Sequence, residues 1–118
     1  MKKILLVEDE PDEAKSMRMV LEGQGYAVEL ARDGREAVEK VANCDLVVLD
    51  IILPRLSGDA VLREMKKRNI RKPVVVVTAV SREIGVEEDL RKIKRDIAFL
   101  QKPFSSDSLV AAVSAKLK

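Results

Sequence analysis

Two stretches of this chain, Leu46-Val47-Val48-Leu49 and Val74-Val75-Val76-Val77, are apolar at every position. A strand with one wet face alternates polar and apolar residues. An unbroken apolar run of strand length needs cover on both faces, as in a parallel sheet sandwiched by helices. Ile4-Leu5-Leu6-Val7 and Ile97-Ala98-Phe99-Leu100 repeat the pattern, with amphipathic stretches between the runs. The alternation predicts strands near 3–8, 27–31, 45–50, 73–78 and 97–101, each followed by a helix. The fold class is therefore α/β, a (βα)5 doubly wound parallel sheet of five strands. The second run, Ala27-Val28-Glu29-Leu30-Ala31, carries a charge at its centre, which places it at an edge.

Helix boundaries follow from local chemistry. Pro11, behind Asp9 and Glu10, suits a first turn, and Gly23 and Gly25 stop the helix. Its apolar face is Ala14, Met17, Val20 and Leu21. Asp33 with Glu36 three residues on has capping-box spacing and starts a second helix that buries Ala37, Val38 and Val41. A third starts near Ser57-Gly58 and buries Val61, Leu62 and Met65. A fourth is expected at about 82–95, interrupted by Gly85, with Val86, Leu90 and Ile93 on one face. Glu87–Arg91 and Glu88–Lys92 are favourable four-residue pairs along it. Ser105 caps the last helix, which buries Leu109, Val110, Val113 and Leu117.

One domain, spanning 1–118, accounts for the 118 residues. No apolar stretch reaches the ~20 residues a membrane span needs. With 22 basic and 20 acidic residues the net charge is only +2. Bulk charge thus gives no case for nucleic-acid or membrane binding. The single cysteine, Cys44, fits a reducing compartment such as the cytoplasm and reads as a small buried hydrophobe. There is no histidine, so imidazole acid–base catalysis and the usual zinc sites are excluded. The only three aromatics are Tyr26, Phe99 and Phe104, too few for a base-stacking surface. The basic stretch from Arg63 to Lys72 reads as a solvated helix end, with a partner patch as the alternative.

Polar residues stand where the apolar runs end. Glu8 and Asp9 follow the first, Asp50 ends the third, Thr78 ends the fourth, and Lys102 lies just beyond the fifth. In an open parallel sheet such positions converge on one crevice. Three carboxylates brought together repel one another, and one takes up a proton unless a cation holds them. A hard divalent cation with oxygen ligands, Mg2+ in particular, resolves this. Asp50 is then either a ligand or a nucleophile, since carboxylates form aspartyl-phosphate intermediates. Asp9 with the metal, the Lys102 ammonium and the Thr78 hydroxyl can share the three oxygens of a phosphoryl group.

Leu6-Val7-Glu8-Asp9-Glu10, Asp50-Ile51-Ile52-Leu53-Pro54 with Gly58, Thr78-Ala79 and Lys102-Pro103-Phe104 are ordered and spaced as in a known family. Over its whole length the chain resembles the response-regulator receiver domain of two-component signalling. The resemblance implies the flavodoxin-like strand order 2-1-3-4-5. It implies that Asp50 accepts the phosphoryl group and that Asp9 binds Mg2+ directly, with Glu8 acting mainly through a metal-bound water. The backbone carbonyl of Ile52 would be a third protein ligand. Thr78 would move toward the phosphoryl group, Ala79 would leave it room, and Lys102 would pair with the acceptor carboxylate. Phe99 would be the aromatic switch, and Lys102–Pro103 the family's cis peptide.

The implied function is that of a phosphoacceptor in the cytoplasm. A sensor histidine kinase or phosphotransfer protein would donate the phosphoryl group, and an unknown output protein would read the result. Beyond its own phosphorylation and dephosphorylation such a domain is not an enzyme. It would act as a monomer or a phosphorylation-dependent dimer, without direct nucleic-acid or membrane binding. Two rival readings stand beside it. An adaptor receiver that takes no phosphate would not need the intact cluster. An aspartyl-nucleophile phosphatase usually needs an acid two residues after the nucleophile, where this chain has Ile52. A departure from the family lies between Thr78 and Lys102, where Arg95-Asp96-Ile97-Ala98 replaces the usual Gly-Ala and puts the fourth helix and its partner face in question.

Overall fold

The computed structural model describes residues 1–79 and 85–118. Five strands, β1 (Lys3–Val7), β2 (Ala27–Ala31), β3 (Leu46–Asp50), β4 (Val74–Thr78) and β5 (Ala98–Gln101), form one sheet in the order β2-β1-β3-β4-β5. All four pairings are parallel. The charged strand β2 lies at an edge, as its central Glu29 requires. That carboxylate meets Lys3 at 2.9 Å and Lys40 at 3.5 Å.

Helices α1 (Pro11–Gly23), α2 (Gly34–Lys40), α3 (Gly58–Lys67), α4 (Val86–Ile93) and α5 (Ser106–Lys116) cover the sheet. The expected caps are present at α2 and α5. Asp33 Oδ1 accepts the Glu36 N–H at 2.8 Å, and Ser105 Oγ accepts the Ser108 N–H at 3.0 Å. At α1 the cap is Glu10, whose side chain accepts the Glu13 N–H at 2.8 Å. The fourth helix ends earlier than expected. Its described part starts after Gly85, which has φ +78°, and ends at Ile93; the expected start at 82 falls outside the described residues. Glu87 pairs with Arg91 as expected, whereas Lys92 turns to Asp89 at 3.7 Å instead of Glu88.

Strand alternation divides the interior into two layers. Leu5, Val7, Val47, Leu49, Val74 and Val76 pack with Ala37, Val61, Leu62, Met65 and Leu90 beneath α2, α3 and α4. Ile4, Leu6, Leu46, Val48, Val75 and Val77 pack with Met17, Leu21, Leu109 and Val113 beneath α1 and α5. Each such side chain contributes ~1.5–3 kcal/mol on burial. Val110, expected inside, is only partly buried, and Cys44 is a buried free thiol as read.

Two glycines set where helices meet the loops above the sheet. A Cβ on Gly34 would lie 1.8 Å from the carbonyl oxygen of Leu56, and one on Gly58 would lie 2.5 Å from that of Asp50. No side chain fits at either place. Asp33 Oδ2 also accepts a bond from Arg55 Nη1 at 2.9 Å, so α2 holds the loop that leaves β3.

Candidate functional site

The register delivers the site. Val7 pairs with Leu49 across β1 and β3, so Glu8 stands level with Asp50. Asp50 pairs with Val77 and Thr78 with Gln101, which sets Asp50, Thr78 and Lys102 at adjacent strand ends. The Lys102 N–H donates to the Thr78 carbonyl at 2.8 Å, and Lys102–Pro103 is cis. The period of two then sorts the side chains. Glu8, Asp50 and Lys102 share the parity of the α1/α5 layer. Thr78 and Phe99 share that of the α2–α4 layer, and both are buried.

Lys102 Nζ donates to Glu8 Oε1 at 2.8 Å and to Asp50 Oδ2 at 2.9 Å, and meets Glu13 Oε1 at 3.1 Å. Glu8 is 2% exposed and Asp50 5%. The other oxygens of both acids accept backbone N–H groups: Glu8 Oε2 that of Glu10 at 3.3 Å, and Asp50 Oδ1 that of Ile52 at 3.1 Å. One oxygen each from Glu8, Asp9 and Asp50 lies within 4.8 Å of the others. Asp9 is exposed, at the open side of the cluster. The backbone bond from Ile52 and the contact from Glu13 are partners that sequence reasoning missed. Glu13 sits in the first turn of α1, and no local pattern marks it.

Burial pushes the Glu8 carboxyl up to about 7, opposed by its bond from Lys102 and reinforced by the nearby Asp50 charge. Burial alone would lower Lys102, but its bonds to Glu8 and Asp50 win and hold the ammonium above its ordinary value. One ammonium facing Glu8, Asp9 and Asp50 leaves net negative charge. Oxygen ligands of Mg2+ stand at 2.0–2.1 Å, so opposite ligands lie about 4 Å apart. A set within 4.8 Å reaches that spacing with small side-chain movements. The donor set fits a hard divalent cation.

The family model described as the response regulator receiver domain matches residues 4–114. The chain belongs to that family. Among curated relatives, the response regulator MprA of Mycolicibacterium vanbaalenii is 37% identical over 119 residues, 98% of this chain and 50% of that protein. The chain spans about half the length of the curated relatives it matches. Among solved structures, the receiver domain of the Francisella response regulator 1452 has a TM-score of 0.89 at 30% identity and covers 99% of this chain and 97% of its own. The Thermotoga maritima response regulator protein TrrA, solved in complex with Mg(2+)-BeF, has a TM-score of 0.87 at 33% identity and covers 99% of this chain and 100% of its own. The fold class is that read from the sequence, the strand order is that implied by the resemblance, and the acidic cluster of this receiver domain fits a phosphoacceptor site. Among the described residues no helix is long and apolar enough to cross a membrane.

Proposed function

We propose that Asp50 is the phosphoacceptor of this receiver domain and that Mg2+ is held by Asp9, Asp50 and the Ile52 carbonyl, with Glu8 acting through a metal-bound water. The observation that carries the reading is the buried triad of Glu8, Asp50 and Lys102, in which one ammonium grips two acids at 2.8 and 2.9 Å. When bound, the metal would neutralise charge on the phosphoryl oxygens. Lys102 holds Asp50 Oδ2 and the Ile52 N–H holds Oδ1, so the acceptor is fixed before a donor arrives, and fixed orientation is the main demand of phosphoryl transfer. An Asp50 oxygen forms a bond to phosphorus as the donor's bond to phosphorus breaks. A sensor histidine kinase or phosphotransfer protein is the donor class.

The Thr78 hydroxyl and the Lys102 ammonium would then bind the new phosphoryl oxygens. Movement of Thr78 would free space for buried Phe99, which lies on the same side of the sheet, and so shift the population of α4 and β5 conformers that an output partner reads. The domain would occupy 1–118, work in the cytoplasm and act on no outside substrate. Asp50→Asn tests the assignment. Intact-mass measurement after acetyl phosphate or phosphoramidate with Mg2+ is expected to show one added phosphoryl group on the wild type and none on the variant. Labelling of the variant at the wild-type rate would sink it.

A further inference from the structure

A groove of about 640 Å3 runs between α3 and α4. Its floor is apolar: Ile51, Val86, Leu90 and Ile93. Its rim is cationic, with Arg63, Lys66, Lys67 and Lys92 against two acids, Asp59 and Asp89. Both acids are already engaged, Asp59 with Arg63 at 2.5 Å and Asp89 with Lys92 at 3.7 Å. Lys66 and Lys67 are exposed, and among the described residues neither has an acidic partner. The charge is local. Four cations against two acids give the lining of this one groove a net charge of +2.

We propose that this groove docks an acidic amphipathic helix of a partner protein. Two neighbouring helices form a channel into which a third can lay an apolar ridge. The two unpaired lysines are placed to meet carboxylates along its edge. Electrostatic complementarity of this kind steers encounter and selects the partner's sign. Nucleic acid would use the charge but not the floor, and no aromatic side chain lines the groove for base stacking. The groove shares no lining residue with Glu8, Asp9, Asp50 or Lys102, and α4, whose conformers phosphorylation would shift, forms one of its walls.

The test uses a displayed pool of helical peptides with apolar residues at i, i+4 and i+7, flanked by either Asp/Glu or Lys/Arg, selected on the unphosphorylated protein. Acidic members are expected to be enriched. Amide and methyl NMR shifts on binding an enriched peptide are expected at Ile51, Val86, Leu90 and Ile93. Affinity should fall about tenfold in Lys66→Glu/Lys67→Glu and recover with the charge-reversed peptide, while Lys118→Glu leaves it unchanged. The proposal is overturned if basic peptides or none are enriched, if the shifts map to another face, or if the double variant binds as the wild type does. It is equally overturned if a duplex oligonucleotide, anionic vesicles or a second copy of the chain occupies the groove in preference to the acidic peptide.

Discussion

Replacing Glu8 by Gln should make the metal-free protein more stable at neutral pH, although it alters a residue of the candidate site. The carboxyl is 2% exposed and is raised from 4.5 to about 7, chiefly by burial. A folded carboxyl with a raised value binds its proton more tightly than the unfolded chain does. Stability is therefore undiminished below about pH 4.5, falls as pH rises toward about 7, and stays lowered above that. Each tenfold in proton affinity is worth ~1.4 kcal/mol, so the cost of ionised Glu8 is about 3 kcal/mol. Glutamine keeps an oxygen for Lys102 and carries no charge. Urea unfolding of both proteins in EDTA, from about pH 4.5 to about pH 8, gives the stability difference directly. That difference should grow by about 3 kcal/mol in favour of the variant across the range. Saturating Mg2+ should reverse most of it, since a metal that binds only the folded protein stabilises it by mass action. A difference that stays flat with pH would refute the argument that burial without a cation is what strains this cluster.

Other substitutions probe the rest of the arrangement. Asp9→Ala removes the exposed acid of the cluster and should lower Mg2+ affinity about a hundredfold in a calorimetric titration; unchanged affinity would exclude the site as drawn. Gly34→Ala places a Cβ 1.8 Å from the Leu56 carbonyl and should cost ~1–3 kcal/mol in urea unfolding, whereas Gly23→Ala, with nothing within 4 Å, should cost nothing. Ile52, 60% exposed beside Asp50, cannot orient a water, so the aspartyl phosphate should be long-lived and Ile52→Asn should hasten its loss. Equal hydrolysis rates would remove Ile52 from that role. The resemblance to the receiver family implies that Val80, two residues after Thr78, flanks the same water; Val80 lies outside the described residues.

Four of the five strands were legible because continuous apolar runs have few other solutions. Glu29 marked the edge for the same reason, being a charge that needs water. The strand-end residues were legible as a set, and the alternation of side chains even carries which of them can meet: Glu8, Asp50 and Lys102 on one parity, Thr78 and Phe99 on the other. What the sequence withheld were close approaches between segments with no local signature. Glu13 reaching Lys102, Arg55 bonding Asp33 from 22 residues away, and the backbone of Leu56 pressed on Gly34 depend on how α1 and α2 seat against the sheet. Helical periodicity around α4 continues through Gly85, whereas the backbone of Gly85 is left-handed and forms the N-cap of the described helix.

The separation of the interior into two layers has a consequence for any mutational map of the protein. Leu5 and Leu6 are covalent neighbours, yet Leu5 packs among side chains from α2 to α4 and Leu6 among those from α1 and α5. Loss of volume at Leu6 is felt by Val48, its register partner across the sheet, and by the layer over which the two buried acids lie. The same loss at Leu5 is felt by the layer that holds Phe99. Consecutive residues of one strand thus report on opposite halves of the molecule. At the carboxyl ends of the strands the two halves also meet within the site itself, where Lys102 of one parity and Thr78 of the other are joined backbone to backbone.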